Sequence, residues 1–153
     1  MTQNIYAEGC FSTDYKSAGV AWKVHPEVHS SLPLVGIKSQ REINFMAQYY
    51  CVKNAHGIIQ HAIPVLLHTS DPVIYRIMQR RQLLDSLAVG RDIYSLLDQY
   101  QWDIALTNLK DPNMAQVNAL AREAMHELRD VIKPKNHRER LKFKRKQGKR
   151  GQD

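Results

Sequence analysis

The residues of this chain with the most obvious chemistry are basic, and they are concentrated near its C-terminal end. Residues 133–153 contain ten Lys and Arg against two acidic residues, which leaves 12 basic and 13 acidic residues in 1–132. A polybasic segment binds phosphate through counterion release, an attraction that ignores sequence and weakens with salt. We therefore predict that this segment binds nucleic acid. The basic residues that we expect to make these contacts are Lys142, Lys144, Arg145, Lys146, Lys149 and Arg150.

The same segment has a composition that is typical of a disordered tail. Its only large apolar residues are Leu141 and Phe143, which cannot bury enough surface to offset the entropy of ordering the chain. We expect residues 1–132 to form one folded domain and residues 133–153 to be a disordered tail. A tail that only keeps the protein soluble is the alternative. No amphipathic apolar face or lipidation motif favours a membrane partner.

The cysteines and histidines show no metal-ligand pattern. Cys10 and Cys51 have no CxxC spacing, and the 7 His residues are not spaced as ligands. We therefore expect a reducing compartment and no metal held by these residues. The first residues lack the basic start and apolar run of a signal peptide, and no apolar stretch approaches the ~18 residues that cross a bilayer. We expect a cytoplasmic protein.

The elements that must position any site begin with strands. The composition, 43% apolar and 24% charged, is that of a globular domain. Short β-prone runs at residues 5–7, 18–24 and 34–37 are joined by short turns, which predicts an antiparallel meander. From residue 42 to 54 the apolar spacing becomes helical.

Strands and helices then alternate. An unbroken apolar run at 63–67 predicts a strand covered on both faces, and Pro72 suits the first turn of a helix. Further helices are predicted at 83–88 and 92–99, and a last strand at 102–107. A final helix has one apolar face, made by Met114, Val117, Leu120, Ala121, Ala124, Met125 and Leu128. The predicted fold class is α/β, with a mixed five-stranded sheet that starts with an antiparallel three-strand meander and is flanked by helices.

Four local signatures in this order resemble type 1 ribonuclease H over residues 4–128. Residues 5–10 (IYAEGC) stand where the family's first strand ends in Asp-Gly, and AGVAW at 18–22 resembles its second strand. Residues 44–49 (NFMAQY) resemble the family's N-x-x-A-E-Y, and 67–71 (LHTSD) resemble its Thr-Asp-Ser step. In the last helix, 117–124 (VNALAREA) resembles A-D-x-L-A-x-x-A. The resemblance implies a ribonuclease H-like fold.

Active members of that family hold two divalent ions with four acidic residues, on either side of the scissile phosphate. The resemblance places these positions at Glu8, Gln48, Ser70 and Asn118, with Asp71 one place from the third. Only Glu8 is still a carboxylate, and its extra methylene displaces the charge from where Asp would hold a metal. Since Mg²⁺ requires charged oxygen ligands, we expect no bound metal and lost or much reduced hydrolysis.

Smaller expectations concern the surroundings of these positions. We expect Glu8 to pair with a nearby cation or amide, Asp71 to cap the helix that starts at Pro72, and His68 to be a partly buried packing residue. Whether Ser70 or Asp71 faces the cleft is left open, since a shift of one residue exchanges the two faces of a strand.

We interpret the chain as a ribonuclease H-like protein that binds an RNA–DNA hybrid or RNA duplex. Phe11 and Tyr15, beside Lys16, offer a stacking surface in the first turn. One alternative is an active endoribonuclease that uses Mg²⁺ or Mn²⁺ with a rearranged acidic set. That set would combine Glu8 and Asp71 with Asp14 or Asp111. The other alternative is a protein-interaction module, in which the vacated cleft binds a polypeptide partner.

Overall fold

The computed structural model of the chain describes residues 2–14, 17–26, 28–55, 57, 63–82 and 90–128. The predicted helix at 83–88 and the basic tail at 133–153, with all six of its predicted contact residues, lie outside these ranges. So do Tyr15 and Lys16. None of the described helices is long and apolar enough to cross a membrane.

Five strands form one mixed sheet in the order β3-β2-β1-β4-β5. The first three, β1 (Gln3–Ser12), β2 (Ser17–Val24) and β3 (Val28–Leu34), are an antiparallel meander. The last two, β4 (Val65–Thr69) and β5 (Trp102–Leu106), run parallel to β1. The predicted mixed sheet that starts with a meander is confirmed.

The described helices are α1 (Gln40–Ala55), α2 (Pro72–Gln79), α3 (Gly90–Tyr100) and α4 (112–128). Helix α1 begins with reciprocal capping, in which the Glu42 amide donates to Ser39 Oγ at 3.1 Å and Glu42 Oε2 accepts from the Lys38 amide at 2.6 Å. Such pairs satisfy amides that the first turn of a helix leaves without partners.

Because side chains alternate along a strand, the sheet has two distinct faces. On the α1 face, Ile5, Val20, Trp22 and Leu67 belong to one apolar core with Phe45 of α1. The α4 face has a smaller apolar cluster, which consists of Tyr6, Ala21, Met114, Val117 and Ala121. The names α1 face and α4 face are used below for these two sides.

Two glycines allow the helices to approach the sheet closely, one on each face. A Cβ at Gly9 would lie 2.6 Å from the carbonyl oxygen of Ile43 in α1, and one at Gly19 would lie 2.2 Å from that of Ala121 in α4. Both contacts are with backbone atoms, so neither helix can keep its place if the glycine gains a side chain.

The prediction of the third strand at 34–37 is wrong, because β3 spans Val28–Leu34. Pro33 directly precedes the predicted strand, but it lies within β3, an edge strand where the missing N–H is tolerated. The chain leaves the sheet after Leu34 and passes through Gly36, whose φ of 78° suits glycine. The fourth strand is also displaced, since it begins at Val65 rather than at 63.

Candidate functional site

Glu8 of β1 and Ser70 after β4 are in direct contact. The Glu8 side chain is 4% exposed, and its Oε1 accepts hydrogen bonds from the Ser70 amide at 3.1 Å and from Ser70 Oγ at 2.5 Å. The two residues meet because β1 and β4 are neighbouring parallel strands. Ser70, and not Asp71, therefore turns toward Glu8. The amide partner expected for Glu8 is the backbone amide of Ser70, and the Ser70 hydroxyl is a second donor that was not predicted.

Burial raises the pKa of the Glu8 carboxyl above its ordinary value. The two hydrogen bonds from Ser70 lower the pKa, and the negative charge of Asp71 raises it again, so that the balance favours the neutral acid more than in water. The influence of Asp71 also shows that the two carboxyl groups are close enough to interact. A buried acid without a cation beside it is poorly suited to hold negative charge.

Asp71 caps α2, as the sequence predicted. Its Oδ1 accepts from the amides of Val73 at 2.9 Å and Ile74 at 3.4 Å, and Pro72 occupies the first turn. Its Oδ2 accepts from Asn44 Nδ2 at 2.9 Å. Both carboxylate oxygens of Asp71 are therefore engaged in holding α2 and α1 in place.

Three amide side chains, four residues apart along α1, face β1 and form what we call the amide series: Gln40, Asn44 and Gln48. Gln40 Nε2 donates to Gly9 O at 2.7 Å and to Asn44 Oδ1 at 2.9 Å. Gln48 Nε2 donates to Ala7 O, the residue before Glu8, at 3.2 Å. The amide series ties α1 to the strand that carries Glu8.

The contacts of Gln40 and Asn44 were missed by reasoning from the sequence. Their spacing of four residues on a helix that otherwise buries apolar side chains was the available signal. The amide series leaves one atom unused, since Gln48 Oε1 is buried and has no hydrogen-bond partner in the described part of the chain. An unpaired acceptor of this kind destabilises the fold unless a donor reaches it.

Asn118 lies on α4, one residue from the sheet-packed Val117, and is half-buried. It does not join the hydrogen bonds that link Glu8 with Ser70 and Asn44 with Asp71. The structure thus brings Ser70 and Asp71, just after the end of β4, together with Glu8 in the middle of β1, with Gln48 next to β1.

The donor atoms of this site do not fit a pair of divalent cations. No group of three or more His, Cys, Asp or Glu side chains that could hold a metal ion occurs within residues 2–128 as far as they are described. Asp14 is exposed in the turn after β1, and Asp111 caps α4 by accepting from the Asn113 amide at 2.9 Å. Two divalent ions need several charged oxygens, whereas one oxygen of Glu8 and both oxygens of Asp71 are already engaged.

A second polar cluster lies on the α4 face and was not predicted. The Lys23 ammonium, 7% exposed, donates to Asn113 Oδ1 at 2.9 Å and to Gln116 Oε1 at 2.6 Å. These bonds fasten the first turns of α4 to β2. Buried polar groups need such partners, so this cluster stabilises the position of α4.

His68 is a packing residue, as expected. Its ring stacks on Tyr6 with centroids 4.3 Å apart, Nδ1 lies 2.6 Å from Thr107 Oγ1, and Nε2 lies 2.9 Å from Asn4 Oδ1. Burial lowers the pKa of His68, and the negative charge of Asp111 partly offsets that effect. The neutral ring therefore joins β1, β4 and the loop after β5.

Comparisons of sequence find no relatives: no protein-family model and no curated protein matches this chain.

Comparisons of structure do find similar folds. LC11-RNase H1, isolated from compost and solved in complex with an RNA/DNA hybrid, matches with a TM-score of 0.63 and 13% identity, over 82% of this chain and 98% of that one. The RNase H1 of the halophilic archaeon Halobacterium salinarum matches with a TM-score of 0.63 and 12% identity, over 83% and 99%. The chain has a ribonuclease H-like fold.

A foamy viral protease-reverse transcriptase in complex with dsDNA also matches, with a TM-score of 0.63 and 15% identity, over 82% of this chain and 94% of that one. At such identities the likeness establishes the ribonuclease H-like architecture alone. What the site does must be argued from its own residues.

Proposed function

We propose that this ribonuclease H-like protein binds nucleic acid, an RNA–DNA hybrid or an RNA duplex, and that its capacity for hydrolysis is lost or much reduced. The observation that carries the proposal is the pairing of Glu8 with Ser70, within a site whose other family positions are Gln48 and Asn118. The similarity to LC11-RNase H1 and to the foamy viral enzyme, which were solved in complex with an RNA/DNA hybrid and dsDNA, supports a nucleic-acid partner.

Recognition of a duplex by this fold would depend on shape. A-like duplexes present a wide, shallow minor groove with 2′-hydroxyl groups, which proteins contact with little selectivity for sequence. The exposed cations Lys38 and Arg41 lie at the start of α1, close to the amide series. They can contact phosphates on a duplex that passes over the end of β4 and the middle of β1.

The loss of hydrolysis is proposed from the chemistry of the site. Glu8 accepts two hydrogen bonds on one oxygen, and both Asp71 oxygens are engaged by backbone and side-chain amides. A cation would have to displace these partners and would recover at most two negative charges. That exchange is unfavourable for ions that shed water reluctantly.

Most of the affinity would come from the basic tail, which we propose as a separate binding element at residues 133–153. It carries ten Lys and Arg, whereas residues 1–132 are nearly neutral. Each neutralised phosphate contributes about 0.9 to the slope of log affinity against log salt. If half of these ten cations contact phosphate, the slope contains a contribution of about 4 to 5 from the tail.

The test compares the full chain with a version that ends at residue 132, using a fluorescent RNA–DNA hybrid and anisotropy at several salt concentrations. We expect the truncated chain to bind more weakly and with a slope lower by about 4. Mg²⁺ should not strengthen binding relative to EDTA, since no step of binding uses a metal; any change should be the weakening that added cations cause. An unchanged slope would remove the tail from the account, and no binding by the full chain would favour the protein-interaction module.

The alternative of an active enzyme is tested by two conservative variants. Glu8→Gln removes the charge of the acid, and Asp71→Asn removes charge while keeping an oxygen that can cap α2. If the chain were a Mg²⁺- or Mn²⁺-dependent hybrid endoribonuclease, both substitutions would abolish its cutting. Our proposal expects little cutting by the wild type and therefore no difference among the three proteins.

A further inference from the structure

The edge strand β3 differs from every neighbouring part of the sheet in its exposure. All eight residues of β2 are buried, whereas six of the seven residues of β3 are exposed and Leu34 is intermediate. The helix layers therefore cover the sheet as far as β2 and leave β3 open on both faces. No other strand among the described residues pairs with its outer edge, because β3 is the first strand of the sheet.

Exposed apolar side chains are concentrated on this strand and on the residue that follows it. Of five large apolar side chains that are exposed among the described residues, Val28 (48%) and Leu32 (37%) lie in β3, and Val35 (71%) follows it. Val28 and Leu32 pair with Val24 and Val20 of β2, so both lie on the α1 face. They continue the apolar side of the sheet beyond its helical cover.

The first five residues of the strand lack the charged side chains that usually prevent edge pairing. Proteins protect exposed edges with charged residues, especially Lys, and residues 28–35 (VHSSLPLV) contain no Asp, Glu, Lys or Arg. A second copy of this chain presents the same surface, so charged residues on this strand would repel it. Their absence leaves no such repulsion between two copies. Pro33 has no N–H, so an added ladder must end before it. The stretch free for pairing is thus 28–32.

We propose that β3 is a self-association edge, on which a second copy of this chain adds its own β3 in antiparallel orientation about a two-fold axis at Ser30. In this register Val28 faces the second copy's Leu32 on the α1 face, and His29 faces its Ser31. The two exposed apolar residues of each copy cover each other, and Pro33 lies outside the ladder. The result is a continuous ten-stranded sheet.

The interface is small. Each chain contributes five residues, of which two are apolar. Together they bury less surface than the ~1,200 Å² of a standard stable complex. The dimer is therefore weak, with dissociation constants in the micromolar range or above, and its population depends on protein concentration. This inference does not rest on the proposed nucleic-acid binding.

The test uses cysteine pairs whose outcome depends on the register. In a ladder centred on Ser30 the two copies of that residue are directly opposite, with Cα atoms about 4.5–5.5 Å apart, which suits a disulfide. The two copies of Ser31 are offset by two residues, and their Cα atoms are then more than about 7 Å apart. We expect Ser30→Cys to form a disulfide-linked dimer with oxidised glutathione, at least tenfold faster than Ser31→Cys. The wild type, in which Cys51 is buried and Cys10 is half-buried, is the control for crosslinking through the native cysteines.

A second measurement does not depend on introduced cysteines. In sedimentation velocity at rising concentration, the wild type should shift toward a dimer and Leu32→Lys should stay monomeric, because lysine charges would be placed next to the apolar contact. Leu109→Lys, an exposed leucine away from β3, is the matched control and should behave like the wild type. Equal crosslinking at positions 30 and 31, or a wild type that remains monomeric at all concentrations, would overturn the proposal. Faster crosslinking only with an added partner protein would assign the edge to that partner and would also refute self-association.

Discussion

The two faces of the sheet differ in the side chains that they bury, although the same strands supply both. The α1 face is mainly apolar, with Ile5, Val20 and Leu67 fully buried against Phe45 of α1, and its buried polar side chains include two of the amide series. The α4 face carries buried polar groups, among them Glu8, Lys23 and His68. Each of these three has at least one hydrogen-bonding partner from another element.

The two faces therefore contribute differently to the stability of the fold and to the placement of polar side chains. On the α1 face, burial of apolar surface supplies most of the free energy of folding. On the α4 face, buried polar groups contribute little net stability and fix position instead, because each loses water and gains a bond of similar strength. The candidate site lies where the two arrangements meet, at Glu8 and the amide series.

The largest effect should come from the α1 face. Phe45→Ala removes a fully buried ring, and we expect the free energy of unfolding to fall by about 3–5 kcal/mol. Met114→Ala removes a fully buried side chain from the smaller cluster and should cost less. Urea unfolding followed by circular dichroism measures both. An equal or greater loss for Met114→Ala would contradict the comparison between the faces.

The next effect concerns how closely α4 approaches the sheet. Gly19→Ala places a methyl group against the Ala121 carbonyl, and we expect a loss of about 1–3 kcal/mol because backbone must move. Gly57→Ala is the control, since nothing lies within 4 Å of its added Cβ. Thermal unfolding of the two variants compares them directly. If the losses were similar, close approach at Gly19 would not be what places α4.

A smaller effect is expected for the ammonium on the α4 face. Lys23→Met keeps the length of the side chain but removes the donor to Asn113 and Gln116. We expect a loss of about 1 kcal/mol, because the exposed Gln116 oxygen regains water. Lys110→Met, at an exposed lysine, should change stability by less than about 0.5 kcal/mol. A loss of 3 kcal/mol or more for Lys23→Met, by urea unfolding, would mean that this cluster stabilises as strongly as the core.

The smallest expected effect is on how the free energy of unfolding depends on pH, and it concerns Glu8. Because its pKa is raised in the folded protein, its contribution to stability is fully present below the pKa of the unfolded chain and is lost as pH rises through the folded value. Glu8→Gln removes this dependence, so its stability relative to the wild type should increase from acidic toward neutral pH. Unfolding free energies at several pH values measure the trend, and a relative stability that falls with pH would show that the folded protein favours the charged carboxylate.

Much of the fold was predictable because the apolar pattern records which face is buried. The apolar face from Met114 to Leu128 predicted a helix, and the structure has α4 at 112–128. Edge strands are harder to predict from the apolar pattern. Strand β3 is exposed on both faces, so buried and exposed residues do not alternate along it. The position of Pro33 then shifted the predicted strand.

The candidate site was only partly predictable, because its contacts depend on register between distant segments. The resemblance to ribonuclease H indicated Glu8, Gln48, Ser70 and Asn118, and the helix cap of Asp71 followed from the proline after it. That Ser70 would bond to Glu8 across 62 positions of sequence was not in any local pattern. The link from Lys23 to Asn113 spans 90 positions and was equally invisible.

The most direct measurement of the central claim is a single experiment with an end-labelled RNA–DNA hybrid and excess purified full-length protein, in Mg²⁺ and in EDTA. Bound and free hybrid are separated on native gels, and strand integrity is read on denaturing gels. The account predicts that the protein binds the hybrid in EDTA, that Mg²⁺ does not strengthen this binding, and that the RNA strand stays intact in both conditions. Cutting of the RNA in Mg²⁺ that disappears with Glu8→Gln would contradict it.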